Sequence, residues 1–337
     1  MIKAHGLARQ FQFKGRKGGV INAVTGVDIL IEAGELVGFL GPNGAGKTTT
    51  LRMLTTLLAP TAGEATVAGC DLMKDPRGVR RRIGYVAQGF GTSEESTVYE
   101  ELEMQGRLYG LSKSVARVRV PELMDQLQLA GLERRLTKTL SGGQRRRLDV
   151  ALGLIHTPDL LFLDEPTAGL DPQSRANLWA HIRRLRAENG MTLFLTTHYL
   201  EEADALCDRI LVIDNGRIIA EGTPNSLKAQ VSGDSVTVGV GAEQMAATAA
   251  IVVRIAGASD VLTADGMVRF RVPGAHSVLP GLLRALDTAR IPAESLHINR
   301  PTLDDVFLLL TGRTLREAGD GAASRYAADT EVPDVAA

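Results

Sequence analysis

The hydrophobic pattern changes character along the chain. Leu36-Val37-Gly38-Phe39-Leu40 is a short apolar run, the mark of a strand buried on both faces of a parallel sheet. A glycine-rich turn follows, then a helical pattern over Thr48–Leu58. Further runs at Arg82–Val86, Leu160–Leu163, Leu193–Thr196 and Ile210–Ile213 predict more strands, most with turn or helical signals between them. That alternation predicts a largely parallel sheet with right-handed crossovers. From about Thr97 to Ile155 the period is helical instead, over Val98–Tyr109, Val115–Leu129 and Gln144–Ile155. This predicts a helical subdomain, about residues 89–155, inserted between two parts of the sheet.

After Pro224 the style changes again. Val236, Val238 and Val240 alternate as in a strand, and Ala246–Ile255 reads as a helix. Leu262 and Val268-Arg269-Phe270-Arg271-Val272 flank Asp265-Gly266, a hairpin signal. Val278–Leu286 predicts a helix, Leu296–Ile298 a strand and Leu303–Leu310 a last helix. The order β-α-β-β-α-β-α predicts a small α/β domain, open-faced and ferredoxin-like. The predicted organisation is a larger domain over residues 1–225, an accessory domain over 226–313 and an acidic, disordered tail over 314–337. The tail from Glu317 onward sets Arg325 against Glu317, Asp320, Asp329, Glu331 and Asp334.

Composition narrows the class. A chain of 337 residues fits about two domains. Net charge is −1, which disfavours a strongly basic nucleic-acid binder and an acidic disordered chain alike. Aromatic residues are 4%, too few for a base-stacking platform. Cys70 and Cys207 stand far apart, so a disulfide scaffold is excluded and a reducing compartment expected. The first residues lack a signal-peptide pattern, and no apolar run approaches the roughly 18–20 residues of a membrane span.

The chemistry begins at Gly41-Pro42-Asn43-Gly44-Ala45-Gly46-Lys47-Thr48, which fits G-x-x-x-x-G-K-[ST]. Glycines let the backbone curl so that its N–H groups point at phosphate oxygens, and the helix that follows adds its positive end. Lys47 supplies a point charge to the β and γ phosphates, and the Thr48 hydroxyl a ligand for Mg²⁺. Alone, the motif predicts a P-loop NTPase fold and no particular reaction. Leu160-Leu161-Phe162-Leu163-Asp164-Glu165 is an apolar strand ending in two carboxylates. Asp164 is the candidate for Mg²⁺, directly or through water. Glu165 is the candidate general base, and its presence favours water as the nucleophile.

Leu140-Ser141-Gly142-Gly143-Gln144 stands before a predicted helix, about twenty residues ahead of that strand. It forms a second anion-binding surface, for which a single-site enzyme has no need. With this element the chain resembles the ATP-binding subunit of an ABC transporter over roughly residues 1–225. The resemblance implies an ATP site of Gly41, Pro42, Asn43, Gly44, Ala45, Gly46, Lys47, Thr48 and Thr49, completed by Ser141, Gly142, Gly143 and Gln144 of a second subunit packed head to tail. It makes Gln88 the Q-loop residue that senses Mg²⁺ and touches the membrane partner, Asp171 the D-loop aspartate, and His198 the switch histidine on the γ-phosphate. Phe11 matches the aromatic that stacks on adenine, with Phe13 as the alternative because Lys14–Gly19 looks inserted.

Thr197-His198-Tyr199-Leu200-Glu201-Glu202, Ser141-Gly142-Gly143-Gln144-Arg145-Arg146-Arg147 and Pro301-Thr302-Leu303-Asp304-Asp305-Val306-Phe307 resemble the daunorubicin/doxorubicin-resistance branch of exporters. In that branch the permease is a separate chain, which implies a peripheral protein on the cytoplasmic face of the membrane and efflux of a drug or other hydrophobic molecule. The segment after Gln88 departs from the branch, with Ser96 where an apolar residue is common. Arg80–Arg82 and Arg145–Arg147 read as solvated helix faces or local salt bridges, and Lys14, Arg16 and Lys17 as a flexible loop. The alternatives are a soluble ABC ATPase acting on ribosomes or DNA, and a module that binds ATP without hydrolysing it.

Overall fold

The computed structural model describes residues 1–13, 19–89, 91–231 and 233–312, without the side chains of Phe13 and Asn189. The predicted basic loop at Lys14–Gly18, the Phe13 side chain and the acidic tail lie outside the described residues. The chain divides into two compact units, the first over Met1–Pro224 and the second starting at Asn225.

The apolar runs form the centre of the first unit. Leu36–Leu40, Leu160–Asp164 and Thr192–Thr197 are buried at every position, because sheet neighbours lie on both sides and other elements cover both faces. The six-stranded sheet runs in the order Arg217–Gly222, Arg209–Asp214, Leu36–Leu40, Thr192–Thr197, Leu160–Asp164, Ile83–Val86. All pairings are parallel except the first, where the edge strand is antiparallel. Arg82, expected in a strand, ends the helix Pro76–Arg82. The helix after the glycine turn spans Lys47–Leu54 and stops four residues before the expected Leu58. Thr56 takes a left-handed φ of 63° there, which breaks the helix, and Pro60 follows.

The hydrophobic pattern does not foretell a second sheet. Gly19–Ile31, Ile2–Phe13, Ala62–Val67 and Cys70–Asp71 form an antiparallel sheet in that order. Its apolar face, with Ile2, Leu7, Val24, Ile29 and Ile31, shares one core with Phe39, Leu51, Leu54, Phe162 and Phe194. The helix that starts at Lys47 is thus held from beneath by both sheets.

Between Ile83–Val86 and Leu160–Asp164, neighbours in the main sheet, lie the helices Val98–Leu108, Lys113–Gln126 and Gly142–Leu154. Thr97 with Glu100, and Ser141 with Gln144, form reciprocal caps that fix where the first and last of them begin. The second unit holds the seven predicted elements: Asp234–Gly239, Met245–Val253, Ser259–Ala264, Met267–Val272, Ala275–Thr288, Ser295–Asn299 and Leu303–Thr311. Its sheet is antiparallel, ordered second, third, first, fourth, which is the ferredoxin-like arrangement. Asp265 and Gly266 both have positive φ, 50° and 75°, as the tight hairpin turn requires.

Candidate functional site

The strand Leu36–Leu40 delivers Gly41 to the carboxyl end of the parallel sheet, where the chain turns into the helix. A Cβ on Gly41 would lie 2.3 Å from the Ile213 carbonyl oxygen. Gly46 has φ +107°, and a Cβ there would lie 2.6 Å from the Ala23 oxygen. Only glycine permits this turn, which aims the backbone N–H groups of a helix N-terminus outward.

Lys47 is 4% exposed; its Nζ donates to the carbonyls of Gly41 at 2.7 Å and Pro42 at 3.2 Å, and lies 3.4 Å from Glu165 Oε1. Burial lowers the pKa of this ammonium, and the charges of Glu165 and Asp164 partly restore it. The strand Leu160–Asp164 places Asp164 beside the helix start. Its Oδ1 accepts from the Thr196 hydroxyl at 2.5 Å and from the Thr48 hydroxyl at 3.5 Å. Burial raises the Asp164 pKa, against the Thr196 bond.

Glu165 follows in a left-handed conformation, φ 45°, rare for a non-glycine residue. Its N–H donates to both the carbonyl and the hydroxyl of Thr196, each at 3.1 Å. Its Oε2 accepts from Gln88 Nε2 at 3.0 Å and lies 3.1 Å from His198 Nδ1. Burial alone would raise its pKa; the His198 and Lys47 contacts outweigh burial and hold it below the ordinary range. The structure therefore brings Lys47, Thr48, Gln88, Asp164, Glu165 and His198 into one cluster, with Glu165 at its centre.

These residues suit a nucleotide with a hard divalent cation. The cradle admits no side chain, and the hydroxyl of Thr48 and carboxylate of Asp164 are oxygen donors side by side. Among the described residues no group of three His, Cys, Asp or Glu side chains is placed to hold a metal.

The other expected site residues have local partners. Ser141 is exposed at the start of its helix; its Oγ accepts from the Gln144 N–H at 3.3 Å, and Gln144 Oε1 accepts from the Ser141 N–H at 3.0 Å. A Cβ on Gly143 would lie 2.7 Å from Ser174 Oγ, so the signature turn packs on the helix Pro172–Asn189. Asp171 caps that helix, accepting from the Ser174 N–H at 2.9 Å. The Phe11 ring lies half-buried on the strand Ile2–Phe13, with the Arg9 guanidinium 4.8 Å from its centre.

Sequence reasoning missed three groups. Thr196 holds Asp164 and Glu165 together. Glu202 is wholly buried, accepts from Trp179 Nε1 at 3.0 Å, and has its pKa raised by burial. Of the two alternatives for the arginine run, Arg146 fits the local salt bridge, 3.7 Å from Asp149, and not the solvated face: it is 3% exposed and donates to the carbonyls of Ala87, Asp164 and Pro166. The available signal was its spacing from Asp149, Val150 and Gly153, which puts it on the buried face of the helix.

An anion cradle at the carboxyl end of a parallel sheet, a buried lysine within it and two carboxylates beside it define a P-loop ATPase carrying the helical insertion of an ATP-binding cassette. The profile described as "ABC transporter" matches residues 24–168, and that described as "ATP-binding protein DrrA1-3-like, C-terminal domain" matches residues 222–311. The chain belongs to the ABC transporter family, as an ATP-binding subunit with the extension of the DrrA-like members.

It is 45% identical to the daunorubicin resistance ATP-binding protein DrrA3 of Streptomyces coeruleorubidus, over 88% of this chain and 94% of that one. It is 40% identical to the Nod factor export ATP-binding protein I of Ralstonia nicotianae, over 87% and 90%. A dimeric, post-hydrolysis structure of the ATP-binding cassette MJ0796 bound to ADP and Pi superposes with a TM-score of 0.60 at 27% identity, covering 66% of this chain and 98% of that one. The chain is the ATP-binding, ATP-hydrolysing subunit of an exporter. No helix among the described residues is long and apolar enough to cross a membrane.

Proposed function

We propose that this chain powers efflux of a drug or other hydrophobic small molecule through a separate membrane permease, working as a dimer on the cytoplasmic face. The substrate class follows its similarity to proteins of daunorubicin resistance and Nod factor export. Lys47 and the backbone N–H groups of Gly41–Thr48 bind the phosphates of ATP, and Phe11 stacks on the adenine face opposite Arg9. Thr48, Asp164 and Gln88 would hold Mg²⁺, which would supply positive charge to offset that of the phosphates. Ser141, Gly142, Gly143 and Gln144 cover the nucleotide bound by the other subunit, and Asp171 lies at the same dimer contact.

The single observation that carries the catalytic reading is the setting of Glu165. A buried carboxylate faces an ammonium, an amide and an imidazole, which hold it ionised, the form that can accept a proton, and fix its orientation. His198 steadies that carboxylate and reaches the γ-phosphate. Glu165→Gln tests this: it is expected to bind ATP normally, to lose turnover by about 10²–10⁴-fold, and to accumulate an ATP-dependent dimer in light scattering. Near-normal hydrolysis in that variant would sink the general-base assignment.

A further inference from the structure

We propose that Arg146 is a positioning residue that ties the signature helix to the backbone on either side of Glu165 and ahead of Gln88, so that seating of Ser141 on the partner's nucleotide sets the catalytic geometry of its own subunit. The proposal rests on the two-site dimer described above.

The guanidinium spans three chain segments. Nε donates to the Pro166 carbonyl at 2.7 Å, Nη2 to the Asp164 carbonyl at 3.1 Å, and Nη1 to the Ala87 carbonyl at 2.6 Å. Asp164 and Pro166 flank Glu165, and Ala87 precedes Gln88. Nη1 also lies 3.7 Å from Asp149 Oδ2 on the same helix. The far end of the Gln88 segment is held by that helix too: Asp149 accepts from the Gly91 N–H, and Arg145 Nε donates to Thr92 Oγ1 at 3.3 Å.

Two physical points make this more than packing. The left-handed backbone of Glu165 persists only if its surroundings over-determine it. Thr196 fixes its N–H, and Arg146 fixes the carbonyls on both sides. A planar fork with several donors can serve three carbonyls at once, whereas the point charge of a lysine cannot. Ser141 caps the same helix and Arg146 lies within its first two turns, so a tilt of the helix that accompanies contact with the partner's nucleotide moves the three carbonyls together.

The test uses the full chain with Arg146→Lys and, as a second variant, Arg146→Gln, each checked for a cooperative melt. Binding of a non-hydrolysable ATP analogue is expected to stay within about 2-fold, while kcat falls by about 100-fold, the order a misplaced catalytic group costs. In a Glu165→Gln background the added Arg146→Lys change is expected to leave the ATP-dependent dimer intact, since Ser141 is untouched. Wild-type kcat in Arg146→Lys overturns the proposal, as does a parallel loss of melting temperature, analogue affinity and kcat, the mark of a merely structural residue. Absence of turnover in the unsubstituted chain overturns the underlying two-site reading instead, and the proposal with it.

Discussion

Asp149 shows how the charge buried under the signature helix can be measured. The residue is 7% exposed, lies 3.7 Å from Arg146, faces Arg145 and accepts the Gly91 N–H. Burial outweighs these favourable partners and raises its pKa from 3.8 to about 6. The native state therefore holds this proton more tightly than the unfolded chain does. The group costs nothing below pH 3.8, and stability falls as pH rises from there through about 6. Fully ionised, it costs about 3 kcal/mol, of which about 1.4 kcal/mol develops between about pH 5 and pH 7.5. Asp149→Asn removes that titration while leaving an amide oxygen to accept from Gly91. Trp179, the sole tryptophan, lies in the same unit, so urea unfolding followed by its fluorescence reads the right part of the molecule. Every other titrating group is shared by the two proteins and cancels in their difference. The variant is expected to gain about 1.4 kcal/mol on the wild type between those two pH values. A constant difference, or a gain in the opposite direction, would mean that Arg146 and Arg145 hold the carboxyl at or below its ordinary value, and would refute the burial reasoning.

The remaining predictions concern the nucleotide. Gly46→Ala puts a Cβ 2.6 Å from the Ala23 oxygen in a φ of +107°, so it is expected to cost about 1–3 kcal/mol in the same urea assay and to weaken ATP binding by calorimetry; an unchanged loop would show in both being wild-type. Phe11→Ala is expected to weaken ATP by about 1–3 kcal/mol, with Phe11→Tyr near normal; no change in the alanine variant moves the adenine contact to Phe13.

Much of the site can be read along the chain because its elements are local. Leu36–Leu40 and Leu160–Asp164 are runs buried at every position, and the candidate site residues follow at their carboxyl ends. The seven elements of the second unit are legible for a related reason: Val236, Val238, Val268, Phe270 and Val272 keep strict alternation. Ile2–Phe13 hides because its register against Gly19–Ile31 shifts between Ala4 and Leu7, between Leu7 and Ala8, and between Arg9 and Gln10. The first shift puts an extra residue into Ile2–Phe13 itself, so Leu7 falls three positions after Ala4 and the alternation that marks a strand breaks there. Arg146 hides for a different reason. A run of three arginines looks solvated, and nothing near it in the chain reveals that carbonyls at Ala87, Asp164 and Pro166 stand ready to accept.

That difference separates what the cassette does from how its parts act together. The phosphate cradle and the carboxylate pair are short motifs whose chemistry is set by residue type and spacing. Their coupling depends on where the helical insertion leaves and rejoins the sheet. It leaves after Ile83–Val86, at Gln88, and rejoins at Leu160–Asp164, whose end carries Glu165, and these strands are neighbours. Both ends of the insertion therefore meet the site. The helix that carries Ser141 is tied to the same junction through Arg146, which donates to the carbonyls of Ala87, Asp164 and Pro166. A cassette whose insertion began elsewhere in the sheet could keep both motifs and bind ATP equally well. On the coupling proposed above, it would lack the route by which contact with a second subunit reaches Glu165.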